Sequence, residues 1–228
     1  MIGNLRERYG NNSLIGIFLI IMLFTFAGNE VFRLVIVQVP GADEAFPCSL
    51  LSRPENTANN QSLIGRRVIQ SDPPPISLQV RTSNLPAADD QQFVIRILII
   101  NESLGTIPII YSPDEVIIGN NNTSGLGVVF NPPVNIFLPG VNLRNDPATY
   151  PEDRIRLMGP QQRCIHKITL DRNQLAGSIT NDSTVQAYYL GTNAGTVPAA
   201  NPTPIYPDQG LYTGQVTSPV VPIAAGAP

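Results

Sequence analysis

The chain has no tryptophan, one histidine, two cysteines and, among 228 residues, a single lysine, Lys167. Each scarcity removes a class of function. Net charge is −3 with only 14% charged residues, so nothing attracts a phosphate backbone and nucleic acid is excluded as a partner. One histidine and two cysteines cannot form the usual zinc sets, four-cysteine iron–sulfur sites or a CxxCH haem attachment. No P-loop, G-x-G-x-x-G or G-x-S-x-G occurs. No cofactor and no small-molecule substrate is expected, and catalytic residues are assigned to none. Without tryptophan a carbohydrate platform is weakened, although Tyr188, Tyr189, Tyr206 and Tyr212 cluster late in the chain.

What the chain has is apolar residues at its start. Residues 14–28 carry no charge and follow Arg6 and Arg8. As a helix those fifteen residues reach about 22 Å, short of the roughly 30 Å hydrocarbon core. A cleaved signal peptide therefore competes, with Thr25-Phe26-Ala27 as a weak cleavage site. Against cleavage, apolar residues resume as Val31, Phe32, Leu34, Val35, Ile36, Val37 and Val39 before Pro40 stops the run. The favoured reading is an uncleaved signal anchor over residues 13–39. Residues 1–12 are then a cytoplasmic tail, since Arg6 and Arg8 favour the cytoplasmic side. Glu30 and Arg33 stand one helical turn apart and can pair or snorkel to the headgroups. In the sharper reading Asn29, Glu30 and Arg33 mark a face that meets another membrane subunit, because charges within a span turn toward protein.

Residues 40–75 read as a linker rich in proline and turn formers, ending in PPP. Cys48 inside it hints at attachment to the following domain. In an oxidising compartment a Cys48–Cys164 disulfide is expected, closing a loop of over a hundred residues; two buried thiols are the other reading.

From residue 76 the pattern turns to β. ISLQVR, QFVIRILII, IPIIY, EVIIG, LGVVF, VNIFL, RIRLM, RCIHKITL, TVQAYYL and YTGQVTSPVVPI are short apolar or alternating runs separated by turn clusters. Many short strands imply an all-β sandwich or barrel. Phe93, Ile95, Ile97 and Ile99 share a face that should meet the core, with Arg96 near an edge or interface. Cys164, His166, Ile168 and Leu170 share the inward face of a later strand, and His166 is expected half-buried with a backbone partner. Of Tyr188 and Tyr189, which point to opposite faces, one belongs to the core and one to an edge. Asp114, Glu115 and Asn120 to Asn122 form a weak calcium candidate, matching no loop motif. Asn60, Asn101, Asn121, Asn122 and Asn181 head N-x-S/T triplets that matter only in a glycosylating host.

Three stretches, VIRILIINES with its asparagine turn, the hairpin RIRLMGPQQRCIHKITLD, and AYYLGTNAG followed by GLYTGQVTSPVVPI, resemble the Ig-like sandwich domains of bacterial extracytoplasmic proteins. The resemblance covers roughly residues 76–223 and implies an antiparallel Ig-like sandwich over residues 76–228, with long inserted loops near residues 131–153 and 191–210. In layout the chain is similar to the cofactor-free small subunits of the alternative complex III type of electron-transfer assembly. That resemblance implies a single-pass accessory subunit of the bacterial cytoplasmic membrane, with its C-terminal domain periplasmic or extracellular and other protein subunits as partners. An independent anchored adhesion or ligand-binding module is the competing reading, and a hydrolase using His166 the third.

Overall fold

The computed structural model describes residues 22, 33, 35–53, 74–86, 92–119, 124–134, 154–171, 174, 179–191 and 212–223. The chain divides into two compact units, Met1–Pro40 and Gly41–Pro228. Most of the expected span, including Asn29 and Glu30, lies outside the described residues; Arg33 is in a helical stretch and half-buried. Among the described residues no helix is long and apolar enough to cross a membrane.

The second unit is strand-rich: β1 (Ile76–Thr82), β2 (Gln92–Asn101), β3 (Ile107–Ile110), β4 (Ile117–Ile118), β5 (Gly125–Asn131), β6 (Ile155–Met158), β7 (Arg163–Asp171), β8 (Thr184–Gly191), β9 (Gly214–Thr217) and β10 (Val221–Pro222). These follow the apolar runs, because β-branched residues alternating with polar ones form half-buried strands. VNIFL is outside the described residues beyond Val134. A three-stranded sheet has the order β1-β2-β7, a five-stranded sheet runs β10-β8-β5-β4 with β9 also on β8, and β3 pairs β6. Every pairing is antiparallel except β4 with β5, which is parallel.

Register places the core. Leu78 lies opposite Ile99 and Val80 opposite Ile97; across β2, Phe93, Ile95, Ile97 and Ile99 meet Leu170, Ile168, His166 and Cys164. The four β2 residues are at most 1% exposed. They join one hydrophobic cluster with Leu126, Val128 and Phe130 of β5, Val185, Ala187 and Tyr189 of β8, and Ile107, Ile109 and Met158 of the β3–β6 pair. The Tyr189 hydroxyl accepts a hydrogen bond from the Ile110 amide at 2.9 Å, which ties the five-stranded sheet to β3.

One end of this core is closed by Asn101, fully buried at the end of β2. Its Nδ2 donates to the carbonyls of Gly105 (2.7 Å), Met158 (3.1 Å) and Gly159 (2.7 Å). Its Oδ1 accepts from the Ser103 amide and hydroxyl. The side chain thus satisfies the backbone of two loops where strand pairing has stopped. The facing turn is held by Gly159 N donating to Gln162 Oε1 at 2.7 Å, with Gln161 in the left-handed region at φ 51°.

The region expected to be a linker is partly structured, and the compact unit begins at Gly41 rather than residue 76. Gly41 (φ 79°) starts a helical turn, Ala42–Ala45, and Cys48–Leu50 forms a 3-10 turn. Between them Phe46 accepts from the Ile165 amide at 2.7 Å and Pro47 bridges Ile165 in parallel. Ser52 then accepts from the Leu157 amide at 2.9 Å. Residues 41–53 are therefore a strap along the edge of β7 and onto β6. It gains order because edge strands offer unpaired amides that an extended chain can satisfy.

Candidate functional site

The strap crosses the edge of β7 from one face to the other, and this crossing builds the site. On the outer face the carboxylate of Asp43, 5% exposed, lies 3.8 Å from Arg96 Nε and 3.4 Å from Lys167 Nζ. Five residues later Cys48 has reached the core face and is bonded to Cys164, with the two Cα atoms 4.8 Å apart. Both cysteines are nearly inaccessible. An open cleft of about 400 Å³ remains between strap and strand, lined by Asp43, Glu44, Tyr111, Pro113, His166 and Lys167, among others.

His166 sits on the inward face of β7, as the alternation of RCIHKITL implies, but it is almost fully buried rather than half-buried. Its partner is also different from the backbone group expected: Nδ1 is 2.6 Å from the Tyr111 hydroxyl. The rings meet edge to face with centroids 5.5 Å apart. Burial pulls the imidazole down from 6.5 to about 4, because desolvation penalises the cation. Burial also pushes the Tyr111 phenol well above its ordinary range; Arg156 opposes that rise and Asp114 adds to it. Both groups are neutral near pH 7. When the phenol donates to Nδ1, the ring proton rests on Nε2. The pair therefore acts as a hydrogen-bonded pin between β7 and the segment after β3, and its imidazole is a weak base.

Other sequence candidates separate. Asp114 and Glu115 lie in a 3-10 turn, where Glu115 is 2.8 Å from Arg154; Asn120 to Asn122 are outside the described residues. Among the described residues no group of three or more histidine, cysteine or acidic side chains could hold a metal. Tyr188 and Tyr189 are both 1% exposed, so the expectation that one lies at an edge is corrected. Tyr188 lies over Gly127, where an added Cβ would meet its ring at 2.5 Å, so the missing side chain makes room for it. Tyr212 is buried with its ring 6.0 Å from that of Tyr189, and Tyr206 is outside the described residues. Of the N-x-S/T asparagines named above, Asn101 is wholly buried and Asn181 is exposed.

The sequence reading overlooked Tyr111 and Asp43. Tyr111 terminates IPIIY, and only the fold shows that it meets a strand 55 positions later. Asp43 had no signal, being one acid in a proline-rich stretch. No family model matches this chain, and no curated protein or solved structure is significantly similar to it.

Proposed function

We propose that the chain is a non-catalytic, single-pass accessory subunit of a membrane complex. Its strand-rich unit is an Ig-like sandwich standing outside the bacterial cytoplasmic membrane, and its N-terminus is cytoplasmic. The observation that carries this reading is the apolar run of residues 14–39, which ends at the boundary where the disulfide-closed β-rich unit begins. A disulfide that persists belongs to an oxidising compartment, which supports the extracytoplasmic side. Two sheets contributing to one core support the sandwich. The side chains best suited to chemistry have structural duties: His166 is held neutral against Tyr111, both cysteines are bonded to each other, and Asp43 lies between two cations.

The host is an energy-transducing electron-transfer complex of the alternative complex III type, in which the chain clasps other subunits and carries no cofactor. Gentle detergent extraction followed by native electrophoresis tests the proposal. Migration with a large complex is the expected result. A lone species near 24.7 kDa would instead favour an independent anchored adhesion or ligand-binding module.

A further inference from the structure

The outer face of the three-stranded sheet carries a row of like charges that the fold itself does not explain. Arg81 lies directly opposite Arg96, and Arg96 directly opposite Lys167. All three alternate with inward residues (Val80, Ile95, Ile97, His166 and Ile168), so they project from the same outer face. Strands are roughly 4.8 Å apart, so three cations arise within about 10 Å. Like charges directly opposite one another are destabilising. Lys167 is the chain's only lysine, and the chain as a whole is acidic.

The compensation inside the chain is incomplete. Among the described residues Asp43 is the one carboxylate paired with the row, and at 3.8 Å its contact with Arg96 Nε is too long for a hydrogen bond. That Nε is buried and has no hydrogen-bond partner. Arg81 makes no ion pair with a described residue. Next to the row lie Leu98 and Ile165, 0% and 1% exposed, which keep the local dielectric low on one side. A row of two guanidiniums and an ammonium, three cations against the one carboxylate of Asp43, suits an oxyanion with several acceptor oxygens.

We propose that the Arg81–Arg96–Lys167 row binds phosphate, and that its ligand is the headgroup phosphate of an anionic phospholipid. The identity of the ligand rests on the membrane-anchored reading above. Pro40, which closes the apolar run, precedes Asp43 by three residues; that length of chain reaches at most roughly 11 Å. Asp43 touches both Arg96 and Lys167, so the row is tied to the chain three residues beyond the end of the apolar run. Asp43 is then an internal competitor that occupies part of the site.

The test uses the full chain in mild detergent. Native mass spectrometry follows binding of phosphatidylglycerol, phosphatidylcholine and inorganic phosphate. The wild type should retain one phosphatidylglycerol in preference to phosphatidylcholine. Arg81→Gln and Lys167→Gln, at accessible positions, should each lower that occupancy about fivefold. Asp43→Asn should raise it, whereas a purely structural role for Asp43 would lower it. Unchanged lipid occupancy in both cation variants overturns the proposal, as does inorganic phosphate displacing the lipid at equal concentration. Alkaline extraction of bacterial membranes separates this from the anchored reading. Release of the wild type into the soluble fraction sinks the anchor; retention with unchanged lipid occupancy in the variants sinks only the phosphate site.

Discussion

Two buried polar side chains carry consequences that can be measured. The folded state binds the His166 proton more weakly than the unfolded chain, whose imidazole titrates near 6.5. Its contribution is therefore fully present above pH 6.5 and lost as the pH falls toward about 4. Carboxylates titrate in part of this window, so the comparison must be with a non-titrating variant. Urea unfolding of the wild type should lose about 3 kcal/mol more than His166→Gln between pH 7 and 4. Equal pH dependence in the two proteins would show that His166 is not held neutral. Asn101 poses the second case. Asn101→Ala leaves three buried or part-buried carbonyls and the Ser103 amide without their partner, and should cost roughly 2–4 kcal/mol by the same measurement. The asparagine turn was legible in VIRILIINES; the three carbonyls it serves were not, because two belong to a turn 57 and 58 positions away.

At the scale of elements, the strap is the part that differs most from the sequence reading. Proline and turn formers hide it, since its order comes from the edge of β7 and from one disulfide rather than from local propensity. Cys48 and Cys164 are separated by 116 positions. A closure of that length stabilises by about 4–5 kcal/mol in the chain-entropy model. Cys48→Ser with Cys164→Ser should lower stability by that order. Hydrogen exchange should then rise first at the Ile165 and Leu157 amides, which donate to the strap. Global unfolding with no local opening would mean that the strap is integral to the core and not a separable tie. The strands themselves were legible because a period of two is imposed on the sequence by burying one face. The inward sets of β2 and β7 were read correctly from that period alone. Tyr188 and Tyr189 escaped it, since both faces of β8 are covered at that point.

For the whole molecule, the decisive question is what accompanies the β-rich unit. If Asn29, Glu30 and Arg33 form a face toward another subunit, replacing Glu30 and Arg33 with leucine removes that recognition while lengthening the apolar run. Membrane retention should persist and migration with the large complex should fall several-fold on native gels. Unaltered migration would detach those residues from assembly.

Composition and alternation by themselves determined the all-β class and the inward faces of the long strands. Those are local or additive properties: each residue's polarity and its neighbours at one or two positions suffice. The sequence also led to the expected Cys48–Cys164 bond, which is present, but only the tertiary structure decided that Tyr111 meets His166 and that Arg81, Arg96 and Lys167 stand in one row. Such meetings depend on register between strands far apart in the chain, and a shift by one residue would turn each of them to the opposite face.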